Sequence, residues 1–255
     1  NDDLDPAFRA QALTLPSETD IAQAIGEDVD PDAIHAARTA LKSHCGARMA
    51  AAAMAAAEHN PPSAGYSPGA DEAGRRALRY AAWDLAMAAD PAVSGTIEAA
   101  FDQAENLTDR FAAVRLLAHA KANEAGAALD RFFEQYRDDP LVLDKWFAVQ
   151  ATVPGGDTLE AVKALRGHPA FSMNTPNRVY SLIRSFGAAN PTAFNRADGE
   201  GYRFLAAIIG ELDPQNPSVA ARIATCFGSF RMLEPVRRDA ARRALQGLAT
   251  QDSLS

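Results

Sequence analysis

The residues best suited to metal or acid–base chemistry in this sequence are five histidines, and their spacing forms no site. They are His35, His44, His59, His119 and His168. A helix presents two histidines to one zinc ion when they stand four residues apart, and no pair here has that spacing. His168 lies in a Gly-His-Pro turn, and His59 falls at the end of a helical pattern. We therefore predict structural roles for the histidines.

The two cysteines, Cys45 and Cys226, are equally weak candidates for chemistry. Neither belongs to a Cys-x-x-Cys motif, and two cysteines cannot complete a four-ligand zinc site. We predict that both are reduced and packed as small apolar residues, which is typical of a cytoplasmic protein. The sequence also lacks a nucleophile elbow and a phosphate-binding loop. It therefore predicts no catalytic residue, no metal ligand and no cofactor in this chain.

The charge balance excludes some partners. With 25 Lys and Arg against 33 Asp and Glu, the formal net charge is −8, which disfavours nucleic-acid binding. One basic stretch remains, formed by Arg237, Arg238, Arg242 and Arg243. We expect it to be a solvated helix face or a face packed on a neighbouring acidic surface. The longest apolar run, residues 49–57, is about half the length of a membrane span of roughly 20 residues, so no membrane partner is predicted.

The sequence pattern predicts helices along the whole chain. Alanine, the best helix former, far outnumbers Val and Ile. Seven prolines follow Asp, Thr, Asn or Glu, and proline in that setting is typical of the first helical residue after an N-cap. These are Pro31, Pro91, Pro140, Pro176, Pro191, Pro217 and Pro235. Only residues 149–153 show alternation that could indicate a strand.

The fold class that follows is all-α. About a dozen helices are predicted, and a helix–turn–helix unit takes about 40 residues, as in HEAT and armadillo repeats. We expect a superhelical array of antiparallel helix pairs forming a single helical-repeat domain over residues 1–255, with a compact irregular helical domain as the alternative. Because the chain begins at Asn1 rather than at Met, we also expect it to be a segment of a longer polypeptide.

Several spaced motifs resemble a known family. They are LTLPSE at 13–18, DKWF at 144–147 with QAT at 150–152, HPAFSM at 168–173, PNR at 176–178 and NPSVAAR at 216–222. Together they look like the C-terminal helical, armadillo-like domain of bacterial aminopeptidase N, a zinc metallopeptidase of the gluzincin type. The resemblance covers essentially the whole chain.

The resemblance implies a function that the residues alone do not. In that family the helical domain caps the active site and shapes the peptide-access channel, while the catalytic domain of the same polypeptide holds Zn²⁺ and removes N-terminal residues from peptides. It implies that this chain is not catalytic alone. It also implies substrate-channel positions at Arg222, Ser218, Asn177 and Arg178. Ser218 stands where family members carry Gln, and no direct contact is assigned to Asn177 or Arg178.

Two alternatives stay open at this point. The chain could be a free-standing helical-repeat scaffold that binds a protein partner, rather than part of an enzyme. For Arg222, the alternative to a channel role is an ordinary surface ion pair.

Overall fold

Helix starts in this chain are set by proline and by the polar residue before it. The computed structural model describes residues 4–62 and 65–250. At one such start, Asn216 Oδ1 accepts a hydrogen bond from the N–H of Val219, 3.2 Å away, and Pro217 is the first helical residue. The prediction that proline opens helices is confirmed at six of the seven positions. The exception is Pro91, which lies in a turn ahead of the helix that begins at Val93.

Fifteen α-helical segments follow one another along the described residues. They are α1 Pro6–Leu13, α2 Glu18–Ile25, α3 Pro31–Glu58, α4 Ala70–Met87, α5 Val93–Gln103, α6 Leu107–His119, α7 Ala125–Tyr136, α8 Pro140–Ala151, α9 Thr158–Arg166, α10 Pro176–Val179, α11 Ser185–Ala189, α12 Pro191–Phe194, α13 Glu200–Leu212, α14 Pro217–Ala224 and α15 Pro235–Ala249. A π-helical turn, Tyr180–Arg184, joins α10 to α11, and 3₁₀ turns occupy Thr225–Phe227 and Phe230–Met232.

The all-α prediction is confirmed. In the part of the chain that the structure describes, β pairing is limited to an isolated bridge between Val29 and Leu233. The strand considered at 149–153 is wrong, because Asp139 caps α8 and the helix continues through Ala151. No described helix is both long and apolar enough to cross a membrane.

The chain divides into two compact units, which are described separately. Unit 1 comprises residues 1–17 and 36–134, and unit 2 comprises residues 18–35 and 135–255. The single-domain organisation expected for residues 1–255 stays a prediction.

Small residues allow close helix packing in unit 1. A Cβ placed on Gly46 in α3 would lie 2.4 Å from the carbonyl oxygen of Leu85 in α4, so only glycine fits there. The buried face of α3 continues with Ala53, Ala56 and Ala57. Alanine and glycine on this face let the backbones of the two helices approach closely, and this gives the alanine-rich composition a structural role.

Unit 1 also buries an ion pair. Arg79 on α4 is 2% exposed, and its Nη2 donates to Asp109 Oδ1 of α6 at 2.5 Å. Its Nη1 donates to the carbonyl of Asn60, and the hydroxyl of Tyr80 donates to Asp109 Oδ1 at 3.1 Å. Burial is the main factor that raises the pKa of Tyr80, with the Asp109 charge acting in the same direction.

Unit 2 is organised around aromatic rings. Phe147 is fully buried, and its ring packs against those of Trp146, Phe171 and His168, with centroids 5.0–6.0 Å apart. His168 Nδ1 also accepts a hydrogen bond from the N–H of Ala170 at 3.1 Å. The structural role predicted for His168 is confirmed, because the ring serves packing and a turn.

A buried arginine ties residues 18–35 into unit 2. Arg237 is 6% exposed and pairs with the carboxylates of Asp30, Asp32 and Glu234, while its Nε donates to the carbonyl of Asn195 at 2.7 Å. These contacts, named here the Arg237 clamp, lie beside the Val29–Leu233 bridge.

Candidate functional site

The sequence-predicted residues Ser218 and Arg222 share one exposed face of α14. This helix buries Val219, Ala220 and Ile223, and it leaves Ser218 and Arg222 in solvent. Four residues separate the two, so they stand one helical turn apart. The structure therefore brings these two predicted channel residues together.

Arg222 presents an unpaired positive charge. Its carbonyl accepts a hydrogen bond from the Thr225 hydroxyl, but its guanidinium has neither an ion-pair nor a hydrogen-bond partner within residues 4–62 and 65–250. The surface ion pair considered as the alternative for Arg222 is therefore not formed inside the described chain. An exposed guanidinium without a carboxylate partner is free to meet an acceptor on another molecule or domain.

A second arginine beside α14 is absent from the sequence-based prediction. Arg184 ends the π-helical turn and is half-buried, and its Nε has no hydrogen-bond partner among the described residues. Its carbonyl lies 3.9 Å from the Sγ of Cys226, just after α14, so the two elements are neighbours. π-helical turns often occur at functional sites because they shift the side chains out of the regular helical register.

The thiol of Cys226 is unsuited to nucleophilic chemistry. Burial raises its pKa to about 11, and the nearby charge of Arg184 opposes that shift without overcoming it. Cys226 is buried, Cys45 is half-buried and both are free. The prediction of two packed, unpaired cysteines is confirmed.

Asn177 and Arg178 lie in a different environment on α10. Arg178 is 7% exposed, its Nη1 donates to Asp144 Oδ1 at 2.8 Å, and its guanidinium lies 5.2 Å from the centre of the Phe147 ring. The Ser181 hydroxyl oxygen also lies 3.0 Å from Asp144 Oδ1. Asn177 is exposed, and its carbonyl accepts from the Ser181 hydroxyl. Every contact of Arg178 named here is therefore internal to unit 2, and a channel role for these two residues stays a prediction.

The basic stretch on α15 packs partly on acidic residues. Arg237 forms the clamp described above, and Arg238 Nη1 lies 3.7 Å from Asp28. Arg242 pairs within its own helix, and Arg243 is exposed. The expectation of a face packed on a neighbouring acidic surface is confirmed for the first two arginines.

No metal centre is found within the described part of the chain, where no three His, Cys, Asp or Glu side chains cluster as ligands. The exposed face of α14 carries one cation, Arg222, whose guanidinium has no partner within the described residues and can bind an acceptor on another molecule.

Comparison with known proteins identifies the family. All of residues 1–255 match the family described as "Domain of unknown function (DUF3458_C) ARM repeats". The chain belongs to this family. It is 37% identical over 257 residues to aminopeptidase N of Caulobacter vibrioides and 33% identical over 253 residues to aminopeptidase N of Escherichia coli K12. The resemblance to the C-terminal part of aminopeptidase N is thereby confirmed.

These matches cover the chain but only part of the relatives. The two alignments cover 100% and 99% of this chain but only 30% and 29% of the length of the two aminopeptidases. A solved structure of Legionella pneumophila aminopeptidase A, in complex with aspartic acid, superposes with a TM-score of 0.90 at 24% identity. The superposition covers 100% of this chain and 31% of the Legionella chain. At this identity it supports the fold alone. The chain thus spans about a third of the relatives it matches.

Proposed function

We propose that this chain is the closing domain of a zinc-dependent aminopeptidase, which removes N-terminal residues from peptides. The chain caps the active site and shapes the path by which peptides reach it, and it is not catalytic alone. The observation that carries the proposal is the match of every residue of the chain to about a third of aminopeptidase N sequences. The same match disfavours the free-standing scaffold, because the related sequence forms part of a longer enzyme.

The zinc belongs elsewhere in this proposal. The described residues supply no set of ligands for it, so the metal and the chemistry it supports would be held by a catalytic domain of the same polypeptide. What this chain contributes is enclosure, which excludes water and selects peptides by size. Its two free cysteines favour the cytoplasm as its compartment.

Within this domain, Arg222 is the residue best placed to contact a peptide. Its guanidinium is exposed and unpaired in the described structure, and Ser218 adds a hydroxyl one turn away on the same face. Such a cation would hold a peptide carbonyl or carboxylate beyond the residue that is cleaved.

Arg222→Ala in the full-length enzyme tests this role. We expect the KM for a peptide of several residues to rise about 1.5- to 5-fold, as for loss of one exposed charge contact. Turnover of a single-residue chromogenic substrate should not change. Arg243→Ala is the matched control, because it removes another exposed arginine, on α15. Equal effects on long and short substrates would contradict a channel role.

The isolated 255-residue chain tests the non-catalytic role. With an aminoacyl chromogenic substrate and added zinc, we expect no hydrolysis above a chelator-treated blank. Hydrolysis that depends on zinc would overturn the claim that the chain is inactive alone.

A further inference from the structure

The π-helical turn Tyr180–Arg184 and α14 run side by side in the same direction. α14 packs on the π-helical turn, and the 3₁₀ turn after α14 packs on α11, which follows the π-helical turn. Cys226 Sγ lies 3.9 Å from the carbonyl oxygen of Arg184, and Arg222 stands four residues before Cys226. Arg222 is therefore level with the π-helical turn, about one helical turn ahead of this contact.

One side of the π-helical turn is accessible to solvent. Tyr180 and Arg184 are half-buried, whereas the three residues between them are buried. Four residues separate Tyr180 from Arg184, which is about one turn, so the two side chains share the accessible side. The exposed Arg222 lies on the neighbouring helix. The two elements therefore present Tyr180, Arg184 and Arg222 on one stretch of surface.

Neither guanidinium on this surface has a carboxylate partner. Arg184 Nε is buried and lacks a hydrogen bond within residues 4–62 and 65–250, and no ion pair of Arg184 forms there. A buried N–H group without an acceptor costs free energy, and such groups are rare in folded proteins. Arg184 also lies in none of the family motifs quoted above, so its role is independent of that pattern.

The charges around this surface leave the two guanidinium groups uncompensated. The segments that form it, residues 176–194 and 217–233, contain four arginines and no Asp or Glu. Asp213, which follows α13, is buried. The other carboxylates on the neighbouring helices already have cationic partners: Asp144 pairs with Arg178, Glu160 with Lys163, Glu200 with Arg203, Glu211 with Arg166 and Glu18 with His35.

We propose that Arg184 and Arg222 together bind a carboxylate of the peptide substrate. This inference rests on the aminopeptidase function proposed above, which supplies the peptide. A guanidinium donates two parallel N–H bonds to a carboxylate, and two cations without internal partners favour an anion over a neutral carbonyl. The Tyr180 hydroxyl has no partner in the described structure and can donate a further bond. The carboxylate is either the C-terminus of the peptide or an Asp or Glu side chain.

The arginine Nε–H signals of the ¹⁵N-labelled 255-residue chain give a direct test. Arg184 Nε is buried, so its proton is shielded from exchange with water, and loss of the signal in Arg184→Met assigns it. We expect Ac-Ala-Ala-Ala, with a free C-terminal carboxylate, to shift this signal in a saturable way. The amide Ac-Ala-Ala-Ala-NH₂ should leave it unchanged. Ac-Ala-Glu-Ala-NH₂ carries only a side-chain carboxylate, so the tighter of the two carboxylate peptides identifies the source.

Variants separate a binding role from general attraction. Arg222→Ala should weaken binding of the preferred peptide about 1.5- to 5-fold, as for loss of one exposed charge contact. Arg243→Ala, which removes an exposed arginine on α15, is the matched control and should leave the affinity unchanged.

Arg184→Met tests the second cation. Binding, followed through the backbone amide signals of the π-helical turn, should weaken at least about threefold, because a charge-assisted pair is lost. The substitution keeps an unbranched side chain and removes a buried N–H without a partner, so the urea midpoint of unfolding should not fall. A lower midpoint with unchanged affinity would assign Arg184 to the fold and overturn the proposal.

Three further results would overturn the proposal. An equal shift with the amide peptide would indicate recognition of carbonyl groups, and equal weakening by Arg243→Ala would indicate non-specific attraction. Acetate that bound as tightly as the peptide would indicate a general anion site. Because the acetylated peptides offer no free N-terminus to an aminopeptidase, their binding is measured without hydrolysis. Failure here is therefore distinguishable from failure of the aminopeptidase proposal, which the full-length enzyme tests with a single-residue substrate.

Discussion

Arg178 on α10 and Arg222 on α14 belong to motifs of the same family pattern, yet the structure gives them opposite surroundings. Arg178 is buried against Phe147 and paired with Asp144 of α8, whereas Arg222 is exposed and unpaired within the described chain. The difference lies in what the neighbouring helix offers. An arginine whose guanidinium faces a carboxylate forms part of the packed structure. An arginine without such a carboxylate keeps a charge that can bind another molecule.

The largest effect should come from Arg178→Met. Its removal leaves the Asp144 carboxylate half-buried without its cation and strips a planar group from the Phe147 ring. We expect the free energy of unfolding to fall by about 2–4 kcal/mol, measured by urea denaturation of the chain. Adding Asp144→Leu should recover part of that loss, because the uncompensated charge goes with it. If Arg178→Met lowered the free energy of unfolding no more than a typical surface substitution does, the contrast between the two arginines would be lost.

An intermediate case is Arg196, whose Nη2 and Nε both reach Asp198, at 2.5 and 3.1 Å. Hydrogen bonds from Arg196 are the main reason that the pKa of Asp198 falls from 3.8 to about 2. Stability from a carboxyl with a lowered pKa is complete above its ordinary value and is lost as the pH falls through the lowered one.

Asp198→Asn should therefore lower the free energy of unfolding at neutral pH. It should also make the free energy of unfolding less dependent on pH between about pH 4 and pH 2. The effect should be about 0.5 kcal/mol, because nearly half of the Asp198 side chain is exposed and solvent screens the pair. Urea denaturation across this pH range measures it. Asp138→Asn, at an exposed position, is the control; a similar flattening there would attribute the effect to net charge rather than to the pair.

The smallest effect on stability should come from Arg222→Ala. Since its guanidinium has no partner in the described structure, we expect the free energy of unfolding to change by less than about 0.5 kcal/mol. Thermal and urea unfolding of the chain measure this. A loss comparable to that of Arg178→Met would show that Arg222 supports the fold, and its proposed role in the peptide path would lose its basis.

Local features were predictable from sequence, and pairings across the chain were not. Asx-Pro helix starts such as Asn216-Pro217 depend on adjacent residues, and Ser218 and Arg222 share a face because four residues make about one turn. Arg178, Arg184 and Arg222 all lack an acidic residue three or four positions away, so the sequence cannot distinguish them. What separates Arg178 from the others is Asp144, 34 residues earlier, which only helix packing brings into contact.

A cavity in unit 1 could not be predicted from sequence for a similar reason. Glu58, Trp83 and Glu105 line it, and they come from α3, α4 and the segment after α5. Only helix packing brings these residues together, so no local pattern predicts the cavity.

The Arg237 clamp has a consequence for the order in which the protein folds during synthesis. It joins Arg237 to Asp32 across 205 residues, so residues 18–35 emerge from the ribosome long before their partner exists. All residues of unit 1 have emerged once residue 134 is outside the ribosome, whereas residues 18–35 still lack the rest of unit 2. Until translation passes residue 237, Val29 and Ile34 lack the core that buries them, and the nascent chain carries an exposed apolar segment that chaperones can bind.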